Sequence, residues 1–156
     1  MRNMWNKTSH VVFWASSLLS LSAAAGEVVT ADQVDAAILQ ASLESGVDHD
    51  LLRAIATVES NRNAKAIGGL GEVGLFQLRP EFFGGAASTD PIVNATTAAK
   101  YLAKLKRQCA SYGKAFFVCH NTGAFRKQKL KRPTEFVYYK KVMAAMPPAR
   151  TLASQP

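Results

Sequence analysis

The chain has 156 residues, of which 48% are hydrophobic and 19% charged, a balance typical of globular rather than disordered proteins. Lys and Arg number 19 against 11 Asp and Glu, which gives a formal net charge of +8. The length suits one domain, and no apolar stretch approaches the roughly 20 residues that cross a bilayer. Three His and two Cys cannot supply a four-ligand zinc site of the usual spacing, and nucleotide-binding glycine motifs are absent. We therefore expect no metal and no cofactor.

The first 25 residues are predicted to be a cleaved secretory signal peptide. Arg2 and Lys7 supply a positive start, and residues 11–21 (VVFWASSLLSL) form an apolar core that is too short for a membrane anchor. Residues 23–25 are three alanines, which fit signal-peptidase cleavage before Gly26. The mature protein is therefore expected in the periplasm or at the cell wall, without a membrane span.

The two cysteines, Cys109 and Cys119, both lie in the predicted mature chain. In an oxidising compartment they either form a disulfide or remain two buried thiols, and the sequence leaves both alternatives open.

The first predicted helix begins at Thr30, which heads a capping box, and ends at Gly46. Either Asp48 or Asp50 is expected to cap a second helix that runs to about Ser60.

Turn residues follow, and then a short apolar helix is predicted over residues 74–78, before Pro80. The longest helix is predicted to begin after Asp90 and to end at Gly113.

Two further helices are predicted, over residues 115–121 and 135–146. With no strand or hairpin signal, the chain is predicted to be all-α, with one domain over residues 26–146 and a flexible tail over residues 147–156.

Glu59 lies on the apolar face of the second helix, at helical spacing from Leu52, Ile55 and Val58. Burial there would favour the protonated carboxyl, and the nearby helix C-terminus acts in the same direction. Such a group can donate a proton to a leaving oxygen. The alternative is a glutamate that turns to solvent or pairs with Arg62, and periodicity alone favours this alternative.

From residue 59 onward the chain reads ESNRNAKAIGGLGEVGLFQLRP. This segment resembles the soluble lytic transglycosylase domain, a lysozyme-like family that cleaves bacterial cell-wall glycan. The Glu-Ser pair at 59–60, the Ala at 66 and the Gly-Leu-Phe-Gln block at 74–77 have the order and spacing of the family pattern. Later blocks extend the resemblance over roughly residues 47–144.

Four residues depart from the family pattern. Gly68 stands in the place of a cleft-lining Ser, and Arg62 stands where an aromatic is common. His120 and Thr122 replace the Tyr and the Ala of a Tyr-Asn-Ala-Gly block. A lone His is more often a packed or surface residue than a functional one. None of the four removes the acid, so activity is still expected.

The resemblance implies an all-α, lysozyme-like enzyme that acts on peptidoglycan with a single carboxylate. Glu59 would protonate the glycosidic oxygen between N-acetylmuramic acid and N-acetylglucosamine, and would then deprotonate the muramyl 6-hydroxyl, whose attack leaves a 1,6-anhydro end. Other carboxylates considered for a second role are Glu72, Glu81, Asp90 and Glu135. The substrate-binding residues that the resemblance implies are Ser60, Phe76, Gln77, Asn121 and Tyr138.

Residues 100–132 carry ten cations and no acidic residue, which favours anionic partners such as cell-wall polymers. The expected partners are glycan strands and, by the resemblance to small single-domain forms, a secretion, pilus or conjugation machine, with the protein itself a monomer. Three alternatives stay open: a goose-type hydrolytic lysozyme, a non-catalytic wall-binding scaffold, and a basic DNA-binding protein, which export disfavours.

Overall fold

The computed structural model describes residues 28–122 and 132–148. The predicted signal peptide, most of the basic loop and the tail beyond residue 148 lie outside this part of the chain. Within it the structure is helical, with isolated β-bridges and no strand, which confirms the predicted all-α class. Short 3-10 turns link some of the helices. The six helices are α1 (Ala31–Ser45), α2 (His49–Ser60), α3 (Pro80–Phe83), α4 (Pro91–Gln108), α5 (Val118–Thr122) and α6 (Val137–Ala145).

The capping chemistry predicted for α1 is confirmed. The Thr30 hydroxyl accepts a hydrogen bond from the Gln33 N–H at 3.2 Å, and the Gln33 side chain accepts one from the Thr30 N–H at 2.7 Å. Gly46 ends the helix with φ +68°, a conformation that glycine adopts without steric cost.

Helix α4 packs along α1 and forms the largest helix pair of the core. Asp90 caps α4 by accepting from the Val93 N–H at 2.9 Å, and Pro91 occupies the first turn, as predicted. Alanines on both facing surfaces allow the two helices to approach closely. The buried residues of this pair are Val34, Ala37, Ile38 and Ala41 of α1, and Asn94, Ala95, Ala98, Ala99, Leu102 and Leu105 of α4.

Helix α2 packs against α6 and α1. Asp48, rather than Asp50, caps it by accepting from the Leu51 N–H at 2.8 Å. Leu52 and Ile55 are completely buried on its inner face. This burial fixes the rotation of α2, and so brings the end of its apolar face, at Glu59, to the junction with α6.

The prediction of a helix over residues 74–78 is wrong, because this segment is a tight turn. Gly74 and Gln77 both have positive φ, at +78° and +48°, and a helix cannot pass through such residues. The turn is closed by an antiparallel bridge between Val73 and Leu78, whose backbone groups exchange hydrogen bonds of 2.9 and 3.0 Å. The apolar residues of the segment are buried, but the backbone that carries them forms a turn and not a helix.

Three predicted helix boundaries are also wrong. The helix predicted over residues 115–121 begins only at Val118. Helix α4 ends at Gln108, and a 3-10 turn over Ala110–Ala115 follows it, with Gly113 at φ +54° inside this turn. The last helix begins at Val137 rather than at residue 135, because Phe136 is extended, with ψ 138°, and separates it from the 3-10 turn Pro133–Glu135.

A disulfide joins Cys109, at the end of α4, to Cys119 in α5. It therefore cross-links the longest helix to the short helix that carries His120. None of the helices in the described part of the chain is long and apolar enough to span a membrane.

Candidate active site

Glu59 and Tyr138 come together where α2 meets α6. The Tyr138 hydroxyl donates a hydrogen bond of 2.6 Å to Glu59 Oε1 across 79 residues of sequence. The Glu59 side chain is 16% exposed and Tyr138 is 8% exposed. The carboxyl is thus mostly withdrawn from water and is fixed by a single strong donor.

Arg62, the alternative partner of Glu59, is engaged elsewhere. Its guanidinium lies 2.7 Å from Asp35 Oδ1, and Arg53 reaches the same oxygen at 3.5 Å. Both Asn61 and Arg62 have positive φ, so the chain turns sharply as α2 ends. The alternative in which Glu59 turns to solvent or pairs with Arg62 is therefore wrong.

The ring of His120 is the second polar group beside the carboxyl. Its Nε2 lies 3.6 Å from Glu59 Oε1, and the His120 side chain is only 8% exposed. The Tyr101 ring of α4 lies 6.0 Å away, centre to centre. From the sequence alone, His120 is expected to be an ordinary packed or surface residue. Its position inside the motif block, next to Cys119, was the signal that could have singled it out.

Burial controls the protonation of both groups that face Glu59. It raises the pKa of Tyr138, and the nearby Glu59 carboxyl adds to this effect, so the phenol stays a neutral donor. Burial also lowers the pKa of His120, while the Glu59 charge and the Phe76 backbone oppose that change. The buried Nδ1 of His120 makes no hydrogen bond of good geometry within the described residues.

Asn94, in the first turn of α4, holds the turn that borders this site. It is completely buried, accepts from the Phe76 N–H at 2.9 Å and donates to the carbonyls of Val73 and Ser88, each at 2.9 Å. A Cβ on Gly74 would come within 2.5 Å of the Asn94 amide. The turn and Asn94 therefore fit only with a glycine between them, and this role of Asn94 was not predicted.

The predicted substrate-binding residues divide into two groups. Ser60, Phe76 and Gln77 serve the turn, whereas Tyr138 contacts Glu59 and Asn121 lies next to His120. The Ser60 hydroxyl donates to the Leu75 carbonyl at 2.9 Å, which ties the end of α2 to the turn. Phe76 is completely buried, which corrects the expectation that it binds substrate. The Gln77 amide donates to the Gly74 carbonyl at 2.9 Å, so its nitrogen serves the turn. Asn121 is exposed on α5, beside His120.

Gly68 allows polar side chains to pack over the turn. A Cβ at this position would lie 2.6 Å from Gln77 Oε1 and would collide with the Glu72 carboxylate. Hydrogen bonds from the backbone of Glu72 itself and of Leu70 lower the pKa of the Glu72 carboxyl. The side chains of Gln77 and Glu72 thus occupy the space that a side chain at residue 68 would need.

The other carboxylates considered for a second role all have structural partners. Glu72 accepts from the Leu70 N–H at 3.0 Å, and Asp90 caps α4. Glu81 pairs with Arg79, and Glu135 lies 3.1 Å from Arg132. The contacts of the described residues thus leave Glu59 as the carboxyl around which the site is built.

A cavity of about 610 Å³ lies beyond the end of α2, lined among others by Val29, Arg62 and Lys65. Its lining does not include Glu59, His120 or Tyr138. We take Glu59 as the candidate site because polar groups that converge on one withdrawn carboxyl indicate chemistry more directly than a concave surface does. No cluster of His, Cys, Asp and Glu suited to a metal ion occurs within residues 28–122 and 132–148.

A family model described as the transglycosylase SLT domain matches residues 36–142. The match begins within α1, ends within α6, and includes Glu59, His120 and Tyr138. The domain of that family is lysozyme-like, in agreement with the helical architecture of this chain.

Proposed function

The chain belongs to the transglycosylase SLT domain family, and we propose that it is a peptidoglycan lytic transglycosylase in which Glu59 is the catalytic acid and base. One observation carries the assignment of the acid: the Glu59 carboxyl is 16% exposed and accepts a 2.6 Å hydrogen bond from Tyr138. A withdrawn, oriented carboxyl is what proton transfer to a sugar oxygen requires.

The reaction proceeds in two proton transfers through Glu59. The protonated carboxyl first gives its proton to the β-1,4 glycosidic oxygen, and the bond to the muramyl anomeric carbon breaks with oxocarbenium character. The muramyl 6-hydroxyl then bonds to that carbon while the Glu59 carboxylate takes the hydroxyl proton. The products are a 1,6-anhydromuramyl end and a free hydroxyl on the leaving sugar, so the acid is regenerated and no water is consumed.

Tyr138 orients the carboxyl and supports its charge between the two transfers. Because Tyr138 and His120 both approach Oε1, we assign Oε2 to the proton transfers. The phenol stays neutral and keeps donating when Glu59 becomes a carboxylate, and a charge-assisted hydrogen bond is stronger than a neutral one.

Replacing Tyr138 with Phe is expected to lower kcat by about 10- to 100-fold, because the carboxylate loses its donor while the ring stays in place. The measurement is the rate of muropeptide release from purified peptidoglycan. The matched control is Tyr139→Phe, whose ring stacks on Phe117 at 5.6 Å and whose loss of a hydroxyl should leave the rate within about twofold. Equal losses in the two variants, or none in either, would count against the role of Tyr138.

Mass spectrometry of the released muropeptides tests the reaction itself. We expect terminal disaccharides that are one water lighter than the reducing species and that resist borohydride reduction. Reducing ends would instead indicate a goose-type hydrolase that delivers water to the same intermediate. Binding to glycan without release of any fragment would indicate the scaffold alternative.

Two finer assignments complete the proposal. Export is supported by the predicted signal peptide and by the Cys109–Cys119 disulfide, since disulfides persist in oxidising compartments. Mass spectrometry of the protein from the cell envelope should find Gly26 as its first residue. Opening of the wall for a secretion, pilus or conjugation machine is tested in a deletion strain, where the wild type but not Glu59→Gln should restore assembly.

The exposed cations of α4 and of the turn after it support the proposal that the protein binds an anionic partner. They form a stretch without acidic residues, and Lys100 is 67% exposed even though it lies 4.0 Å from Glu44. Cell-wall polymers carry negative charge, so such a surface raises the rate of encounter with the substrate. The exposed cations are Lys100, Lys104, Lys106, Arg107 and Lys114.

A further inference from the structure

His120 is a buried titratable group in contact with the acid, and the two-step chemistry of Glu59 does not use it. Its side chain is 8% exposed, and its Nε2 lies 3.6 Å from Glu59 Oε1. The disulfide at Cys119 anchors the residue immediately before it to the end of α4. The ring is therefore held beside the carboxyl by a covalent constraint and by packing.

The titratable groups facing His120 come from each helix packed around it. Glu59 faces it from α2, Tyr101 from α4 and, through the shared oxygen of Glu59, Tyr138 from α6. Of these three groups, only the carboxylate form of Glu59 would place a charge beside the ring. Burial lowers the pKa of His120, so a neutral ring is the resting form.

A neutral imidazole has one N–H. When Nε2 carries that proton, it can donate to the nearby Oε1 of Glu59. The 3.6 Å separation is longer than a good hydrogen bond, but catalytic contacts are often long without substrate and shorten in the complex. Together with Tyr138, His120 would then hold Oε1 from a second direction.

We propose that His120 is a positioning residue for Glu59 which, when neutral, fixes Oε1 and which, when protonated, weakens the Glu59 carboxylate as the base of the second transfer. This inference rests on the proposed function of Glu59. An imidazolium beside Oε1 lowers the affinity of the Glu59 carboxylate for a proton, so the carboxylate takes the 6-hydroxyl proton less readily in the second transfer. Activity therefore falls toward acid pH, on a limb that lies below about pH 6.5, the ordinary titration range of His.

Two variants separate this role from simple packing. His120→Gln keeps a neutral N–H donor at every pH, and we expect kcat within about threefold of wild type, with the acid limb of the pH profile abolished. His120→Phe keeps a ring but no donor, and we expect kcat to fall about tenfold while KM stays within about twofold. An unchanged acid limb in His120→Gln, or a His120→Phe variant that loses thermal stability but no kcat, would overturn the proposal.

Nuclear magnetic resonance of the histidine rings tests the same contact without activity. Because the Glu59 charge raises the pKa of His120, Glu59→Gln should move the His120 titration midpoint to lower pH. His49, which lies beside Asp50 on the first turn of α2, serves as the internal reference and should not move. A His120 midpoint that is the same in both proteins, or a ring that stays neutral down to the pH of unfolding, would contradict the proposal.

The two readouts distinguish the failures. If the wild type releases no muropeptide, the proposed function fails, while the ring titration still reports on the His120–Glu59 contact. If muropeptides are released but neither the pH profile nor the titration responds, the role of His120 fails and the proposed function stands.

Discussion

Glu59→Gln is expected to reduce the rate of muropeptide release by about a thousandfold, the scale of loss when a general acid is removed. Glutamine has nearly the same shape and can still accept the Tyr138 hydrogen bond, but it has no proton to give to the glycosidic oxygen and cannot remove one from the 6-hydroxyl. Because both proton transfers use the same carboxyl, the substitution removes both of them.

The matched control is Glu44→Gln, on the last turn of α1, whose exposed carboxylate lies 4.0 Å from Lys100 and accepts a hydrogen bond of 2.8 Å from the Gln40 amide. Its rate should remain within about twofold of wild type, since an exposed ion pair contributes little. Thermal unfolding of the Glu59 variant should match that of the wild type. A folded Glu59→Gln protein that releases muropeptides at the wild-type rate would remove Glu59 from the chemistry.

Asn94→Leu is expected to cause the largest loss of stability, about 4 kcal/mol in the free energy of unfolding. Leucine has a similar size but leaves the Phe76 N–H and the Ser88 carbonyl without their Asn94 partner and removes one of the two hydrogen bonds of the Val73 carbonyl. Each buried group left unpaired costs about 1–3 kcal/mol. Since small domains are stable by only about 5–15 kcal/mol, this variant should unfold at markedly lower denaturant concentration.

Equilibrium unfolding in urea measures this effect, with Asn63→Leu as the control. Asn63 is exposed and accepts one hydrogen bond from the Lys65 N–H, so its loss should cost about 1 kcal/mol or less. If both substitutions have the same small effect, Asn94 does not hold the turn. The two results together separate a buried network from an ordinary surface contact.

The turn held by Asn94 also explains why the site depends on residues far from Glu59. Ser60, next to Glu59, donates to the Leu75 carbonyl inside that turn, and the Phe76 backbone adjoins His120. Loosening of the turn would therefore disturb the position of Glu59 in two ways, through the end of α2 and through the ring of His120.

Local sequence signals were sufficient for the helices that begin with a strong cap. Thr30 and Asp90 both cap as predicted, because an N-cap residue acts on backbone groups two or three positions away. The position of Glu59 on the apolar face was likewise readable from the spacing of Leu52 and Ile55. These features depend on residues within one or two turns of one another.

The features that the sequence analysis missed depend on distant partners. The turn at residues 74–78 looks like a helix in its apolar content, but Asn94, eighteen residues beyond Phe76, fixes its backbone. His120 reaches the acid only because the fold brings α5, which packs against α4 and α6, close to the end of α2. Phe76 and Gln77 match the family pattern, yet both stabilise the turn. The motif alone therefore did not distinguish residues that hold the fold from residues that contact substrate.

The most direct test of a single carboxyl acting without water is digestion of purified peptidoglycan in water labelled with oxygen-18. The wild type should release anhydromuramyl fragments that are one water lighter than reducing species and carry no label at the new end. Labelled reducing ends that form as fast as fragments are released would contradict the account, because water rather than the 6-hydroxyl would then have attacked the muramyl carbon.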